Sequence, residues 1–213
     1  QLDNAKGAGE VVGNGRHGFW EMRNGYLLPA RDGSMAELAV VLTDDGVARR
    51  TRDAMRVGVH WDTETASTDA RTARKKGRVA EERTRPHRVC QVFCSAVPVA
   101  YAQKETTVTH EEMEGISMLA LEAAFEATLL AAALLSSARG ERVTVYLTAV
   151  GGGMFGNPIT WVRPIFLFQS CQPMHCLGPL NIHENNQPCH HQPSRLGQID
   201  DFRLLDLKGE LEP

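Results

Sequence analysis

The stretch Val143–Pro158 reads VTVYLTAVGGGMFGNP, and it decides the fold that the sequence predicts. Its first half is rich in β-branched and aromatic residues, which predicts a strand over Val143–Val150. Three glycines follow directly, although glycine loses more backbone freedom on folding than any other residue. A strand that ends in glycines before an Asn-Pro pair is typical of a turn into a helix, with Asn157 as the N-cap and Pro158 as the first helical residue.

A turn of this kind presents backbone amides at the start of a helix, where the aligned peptide dipoles favour an anion. Glycine carries no Cβ, so the main chain can approach a pyrophosphate closely. The spacing is neither GxGxxG nor that of a P-loop, and tight packing without a ligand remains the alternative. Phe155 is expected to lie against a ribose or a base. The predicted ligand-binding residues are Gly151, Gly152, Gly153, Met154, Phe155, Gly156 and Asn157.

The residues before this stretch predict a strand followed by a long helix. VCQVFCSAVPVAY (Val89–Tyr101) is largely apolar, which predicts a strand buried on both faces whose hydrogen-bonded part ends at Pro98. The next segment has a capping box at Thr109 and Glu112 and a stop at Gly140, so it predicts a long buried helix. Strand, helix, strand, turn and helix in succession favour an α/β fold with a mixed, mainly parallel sheet.

Composition divides the chain into three parts. Residues 1–33 are rich in Gly and Asn and predict a lead-in of loops and turns. Residues 34–166 are predicted to form the folded domain, in which a helical segment from Ser34 is interrupted at Thr43–Gly46 and the strand MRVGVHW follows. Residues 167–213 mix Pro, Cys, His, Gln and Asn without periodicity, which predicts a disordered tail.

Within the predicted domain, residues 66–88 form a basic run rich in Ala and Thr. Such a run is compatible with a phosphate-binding or nuclear-localisation patch. Glu81 and Glu82 interrupt it and no aromatic residue is interleaved, so a solvated insertion loop is favoured.

Charge and cysteine content bear on partners and compartment. A net charge of −3 and a pI near 6.3 give no support for a nucleic-acid partner. Ile116–Leu135 is the most apolar stretch, but Glu122 and Glu126 interrupt it, so no membrane partner is expected. Five cysteines without paired spacing favour an intracellular, cytoplasmic chain. A first residue of Gln rather than Met predicts a fragment or a processed chain.

Two carboxylates are candidates for catalysis. Asp62 and Glu64 lie two residues apart at the end of a predicted strand, so their side chains are expected on the same face. A solvent-facing strand end is the alternative for both. Glu122 and Glu126 are predicted to lie on the solvent-facing side of a core helix. Cys90 and Cys94 are predicted to be inert core thiols.

The tail contains several residues of the types that bind zinc, but their spacing is not a standard paired one. We therefore predict no metal site and no cofactor. The residues concerned are Cys171, His175, Cys176, His183, Cys189, His190 and His191.

The combined order of RVGVHWDTET, QVFCSAVPVAY, LALEAAFEATLLAAAL and VYLTAVGGGMFGNPITWV resembles a family of macro-domain-like proteins. That family is related to the ADP-ribosyl glycohydrolases, including effector-type hydrolases that remove ADP-ribose from proteins. The resemblance covers residues 1–166 and matches the C-terminal part of the domain. It implies a three-layer α/β fold that is incomplete, because the family carries an acidic segment ahead of the residues seen here.

The resemblance implies that GGGMFGN wraps the diphosphate and distal ribose of ADP-ribose, and that Phe155 closes over that ribose. The expected partner is ADP-ribose or an ADP-ribosylated protein. Hydrolysis of ADP-ribosyl–protein bonds is expected of a longer form, with Asp62 or Glu64 activating water or stabilising positive charge. The alternative hypothesis is a catalytically inactive fragment or an interaction module whose glycines serve packing only.

Overall fold

The structure, a computed structural model, describes residues 3–65, 87–163, 165, 181–185 and 202–205. A further short helical segment covers 159–163. The helices are α1 (Lys6–Val12), α2 (Asn14–His17), α3 (Ser34–Val41), α4 (Asp45–Asp53), α5 (Val99–Glu105) and α6 (His110–Arg139). The strands are β1 (Trp20–Arg23), β2 (Tyr26–Pro29), β3 (Val57–Thr65), β4 (His87–Phe93), β5 (Thr144–Thr148), β6 (Asn181–Asn185) and β7 (Phe202–Leu205).

The N-terminal lead-in is folded, so the prediction of loops and turns over residues 1–33 was wrong. It holds α1, α2 and the antiparallel pair of β1 and β2. The Asn14 side chain joins α2 to β1, since its Oδ1 accepts from the amides of Phe19 and Trp20 at 2.9 and 3.0 Å. Phe19 and Trp20 are buried in the main core. Glycine and asparagine here end helices and turn a hairpin rather than mark a loose segment.

The long helix α6 follows its sequence signals closely. Thr109 accepts a hydrogen bond from the amide of Glu112, and the Glu112 carboxylate accepts one from the amide of Thr109, so the predicted capping box is confirmed. Gly140, with φ of 65°, ends the helix in the left-handed conformation that glycine adopts without strain. Both ends of this 30-residue helix were therefore readable from local sequence.

The helix α6 also has the length and composition of a membrane span, and 44% of its most apolar window is buried within the protein. Core helices of soluble proteins pass the same test, so this property alone identifies no membrane partner. In this structure α6 packs against α3, α4, β3, β4 and β5.

The fold contains helices and small sheets and is of mixed α/β type. Three pairs of described strands are antiparallel: β1 with β2, β3 with β4, and β3 with β7. One pair, β5 with β6, is parallel. The mainly parallel sheet that the sequence predicted is therefore not seen among the described strands. Strand pairing depends on residues far apart in sequence, and alternation of elements alone does not fix it.

The predicted strand Val89–Tyr101 was wrong in two respects. The strand β4 ends at Phe93, and Pro98 precedes α5 rather than closing a strand. β4 is also exposed on one side, because Gln91 is exposed and Phe93 has a relative exposure of 39%. Its other side, with Cys90 and Val92, packs with β3 and α6. A largely apolar run was read as buried on both faces when only one face is covered.

The chain after β4 meets the chain after β5. A Cβ on Gly151 would lie 2.4 Å from the Cβ of Ala96, and the Asn157 side chain donates to the carbonyl of Val97 at 2.9 Å. At another place, Asp62 of β3 accepts a hydrogen bond from Arg139 at the end of α6. The loops that follow β4 and β5 are therefore packed together.

Two predicted segments fall largely outside the described residues. Residues 66–86 of the basic run are not described, and its last two residues begin β4. The region 167–213, predicted as a disordered tail, contributes β6 and β7, and its remaining residues are not described. Of the seven tail residues considered as zinc ligands, His183 alone is described, as part of β6.

Candidate functional site

The glycine turn between β5 and the helical segment 159–163 has two glycines that are required by their surroundings. Gly151 and Gly156 have φ of 78° and 71°, in the left-handed region that favours glycine. A Cβ on Gly151 would lie 2.4 Å from the Cβ of Ala96, and one on Gly156 would lie 2.8 Å from the Cβ of Ala100. These two glycines let the turn pack against the loop after β4 and against α5.

The buried side chain of Asn157 links the two ends of the turn and joins the turn to the loop after β4. Its relative exposure is 3%, and its Nδ2 donates to the carbonyls of Val97 at 2.9 Å and Gly151 at 3.2 Å. Because both partners are acceptors, the orientation of the amide is fixed, and Oδ1 is left buried without a described partner. The predicted N-cap role was wrong: Pro158 accepts the first helical bonds, from the amides of Trp161 and Val162.

The tip of the turn is open. Gly152, Gly153 and Met154 are exposed, and a Cβ on Gly153 would meet nothing within 4 Å. The amides of Gly152, Gly156 and Asn157 bond carbonyls of the turn itself or of Ala149. Among the described backbone groups, the successive amides of residues 153–155 have no hydrogen-bond acceptor. The glycine run is thus divided into packed flanks and an exposed tip with available donors.

Phe155 is part of an aromatic cluster. Its ring centroid lies 5.6 Å from that of Tyr26 and 5.7 Å from that of Tyr101, both in edge-on arrangements. Its carbonyl accepts from the amide of Ala100 at 2.9 Å. The residue expected to close over a ribose therefore fastens the turn to β2 and α5.

The two candidate catalytic carboxylates are both exposed and both paired with arginine. Asp62 lies in a β-bulge of β3 with φ of 50°, and it accepts a hydrogen bond from Arg139. Glu64 accepts one from Arg88 at 3.1 Å. Exposed ion pairs of this kind contribute little to stability, about 0–1 kcal/mol each.

The structure does not bring these carboxylates to the glycine turn. Asp62 and Arg139 lie beside the start of β5, whereas the turn follows the end of that strand. The five residues of β5 extend about 16 Å at the usual rise of a strand. The seven turn residues form one local site, and Asp62 and Glu64 form another.

The surroundings of the two described cysteines, Cys90 and Cys94, disfavour the reactive thiolate form. Burial raises the pKa of Cys90 to about 11, with the nearby Asp62 carboxylate adding to the effect. Burial also raises the pKa of Cys94 to about 11. Both thiols therefore stay protonated at neutral pH, which supports the prediction of inert core cysteines.

The two glutamates of the apolar helix face α4 rather than solvent. Glu122 is half-buried, and burial raises the pKa of its carboxyl despite the nearby Arg52, whose charge lowers it. The Arg52 Nε lies 3.8 Å from Oε2 of Glu126, an atom that has no hydrogen-bond partner among the described residues. Glu122 and Glu126 were predicted to face solvent, but they form a half-buried polar contact with Arg52 between α6 and α4.

We expect Glu122→Gln to raise the midpoint of thermal unfolding at neutral pH. The raised pKa of Glu122 means that its ionised form is disfavoured in the folded state. The free energy of unfolding therefore falls as pH rises from the unfolded pKa of this carboxyl through its higher folded pKa. The gain should be present at pH 7 and should vanish below the unfolded pKa of glutamate, about 4.3. Unfolding midpoints measured between pH 4 and 8 test this, with the exposed Glu114→Gln on the same helix as the control. A gain independent of pH would contradict it.

A feature that sequence reasoning missed is a groove of about 450 Å³ between β4 and β5. The described residues that line it come from β4 and Cys94 after it, from the segment between α6 and the glycine turn, and from the C-terminal half of α6. Val150 is its last lining residue before the glycine turn, and none of residues 151–157 lines it. No local sequence signal marks such a groove, because its lining residues come from parts of the chain that are far apart in sequence.

Comparison of this chain with protein-family models, with curated proteins and with solved structures found no match.

Proposed function

We propose that this chain recognises ADP-ribose or a related diphosphate at the exposed tip of the glycine turn. The observation that carries this proposal is the run of three successive amides at residues 153–155, which have no acceptor among the described backbone groups. Successive amides in a turn form a concave donor surface that suits phosphate oxygens. A diphosphate offers several such oxygens at once.

A further feature supports recognition at this place. The turn follows β5 where the loop after β4 arrives, and the carboxyl ends of strands are the usual position of ligand sites in α/β folds. The proposal covers recognition. Hydrolysis by a longer form stays a prediction, because Asp62 and Glu64 lie away from the turn.

The test is calorimetric titration of ADP-ribose into the wild type and into Gly153→Glu. The Gly153 position has open space for a side chain, so the fold should survive, while the added carboxylate repels a diphosphate. We expect binding to weaken at least about tenfold, which corresponds to about 1.4 kcal/mol. Gly15→Glu is the matched control, because Gly15 also faces open space and belongs to α2 rather than to the turn. Equal heats in wild type and Gly153→Glu would defeat the proposal.

The second candidate is an interaction module in which the glycines serve packing only. The contacts of Gly151 with Ala96 and of Gly156 with Ala100 favour it, because they explain two of the four glycines without any ligand. Under this alternative, nucleotide leaves the unfolding temperature unchanged. A ligand at 100 times its dissociation constant should instead add about 2.7 kcal/mol. Titrations with NAD and with a mononucleotide distinguish ADP-ribose recognition from that of another nucleotide.

A further inference from the structure

The direction of the open amides at the tip of the glycine turn is set by the flanks of the turn. Gly152, Gly153 and Met154 are exposed, and the amides of residues 153–155 have no acceptor among the described backbone groups. A Cβ on Gly153 would meet nothing within 4 Å, so no neighbouring part of the described chain supports this residue from the side. Glycine is the residue with the most backbone freedom. The tip therefore keeps one conformation only if its two ends are held.

The end of the tip at Phe155 is held by aromatic contacts. The rings of Tyr26, Tyr101 and Phe155 contact one another in pairs, edge-on, with centroid separations of 5.7, 5.6 and 5.7 Å. All three side chains are partly buried and packed against the main core. Edge-to-face contact stabilises an aromatic pair beyond the burial of its area. Because Phe155 carries both a ring of this cluster and the last of the open amides, the two tyrosines hold that end of the tip.

Both tyrosines belong to regular elements rather than to loops. Tyr26 lies in β2, which pairs with β1, and Tyr101 lies in α5, which contacts α6 and β2. The ammonium of Lys104 lies 5.7 Å from the centroid of the Tyr101 ring, and this cation–π contact adds to the support of that ring. Groups that bind a ligand are held most accurately when their supports lie on helices and strands. The cluster thus ties the tip to the folded body of the chain.

We infer that Tyr26 and Tyr101 are positioning residues for diphosphate recognition, because they hold Phe155 so that the amides of residues 153–155 stay directed at one ligand. This inference rests on the proposed function of the turn. A donor surface that is ordered before the ligand arrives avoids the entropic cost of ordering it on binding, so the held tip binds more tightly than a mobile one. Since the tyrosines act through Phe155, they affect every diphosphate ligand to the same degree, whatever group is attached to it.

Calorimetric titration of ADP-ribose and of inorganic pyrophosphate into Tyr26→Leu and Tyr101→Leu tests the inference. Leucine keeps an apolar side chain but removes the ring contact, and we expect both ligands to bind about tenfold more weakly. Tyr26→Phe and Tyr101→Phe keep the ring and should bind both ligands as the wild type does. A loss for ADP-ribose without a loss for pyrophosphate would overturn the inference, because the tyrosines would then contact the nucleoside itself.

The effect on position is separated from a general loss of stability by a core variant. Val12 is buried in the same core but lies in α1, so Val12→Ala should lower the unfolding temperature and leave the affinity for both ligands unchanged. If Val12→Ala weakened binding as much as Tyr101→Leu does, the tyrosines would have a merely structural role and the inference would be wrong.

A measurement without ligand distinguishes failure of this inference from failure of diphosphate recognition. Backbone amide relaxation by NMR gives the order parameters of residues 153–155, which should fall from about 0.85 in the wild type to below about 0.6 in Tyr101→Leu. If the wild type binds neither ligand, diphosphate recognition fails, and the relaxation data still decide whether the tyrosines order the tip. Order parameters that stay at the wild-type values in Tyr26→Leu and Tyr101→Leu overturn the inference.

Discussion

Gly151→Ala is expected to lower the free energy of unfolding by about 2–5 kcal/mol. The new Cβ would lie 2.4 Å from the Cβ of Ala96 and 2.7 Å from Nδ2 of Asn157, so the turn and the loop after β4 must move apart. Overpacking of this kind costs about 1–3 kcal/mol, and a left-handed backbone at a residue with a Cβ adds about 1–2 kcal/mol. Denaturant unfolding followed by circular dichroism measures the loss.

Gly153→Ala is the matched control, because it lies in the same turn. Its Cβ would meet nothing within 4 Å, and its φ is not in the left-handed region. A change within about 0.5 kcal/mol is expected. Similar losses in the two variants would show that the division of the turn into packed flanks and an open tip is wrong.

Asn157→Asp is expected to destabilise the chain by about 3–5 kcal/mol at neutral pH, the range for an uncompensated buried charge. The amide that now donates to Val97 and Gly151 would become a carboxylate facing two carbonyl oxygens. Burial and that repulsion raise the folded pKa of the new carboxyl, so stability falls as pH rises from the unfolded pKa of aspartate, about 3.9.

The pH dependence separates this effect from simple loss of contacts. Protonation restores a donor, so the deficit of Asn157→Asp should shrink as pH falls towards 4, as measured by urea unfolding across pH 4–8. Asn157→Ala is the comparison: it leaves the two carbonyls without their donor, which costs about 1–3 kcal/mol at any pH. A deficit of Asn157→Asp that does not change with pH would contradict the orientation of the amide.

The elements that sequence reasoning predicted well are those fixed by neighbours in the chain. Thr109, Glu112 and Gly140 set the ends of α6 through contacts within a few residues. The position of the glycine turn was likewise predictable from the sequence, because a run of glycines after β-prone residues is a strong signal of a turn. The strand predicted over Met55–Trp61 appears as β3, which runs from Val57 to Thr65 and so contains Asp62 and Glu64 within it.

The roles of individual turn residues were not predictable from the sequence. Gly151 and Gly153 look alike in sequence, and what separates them is Ala96, a residue of the loop after β4. The same holds for Asn157, whose partner Val97 lies 60 residues away. The mainly parallel sheet was not predicted correctly for the described strands for the same reason, since strand pairing is determined by residues far apart in the sequence. The ligand-binding roles of the turn residues stay predictions, and their packing roles come from contacts that local sequence does not show.

The two hydrophobic clusters share the C-terminal half of α6. Leu129 belongs to the large core, whereas Ala127 and Ala131 on either side of it belong to a small cluster of four buried residues. Because Leu129 joins this stretch to the large core, its amide hydrogens should exchange with deuterium on the timescale of global unfolding, together with those near Met113 and Leu121. The whole of this helix would thus open as one cooperative unit.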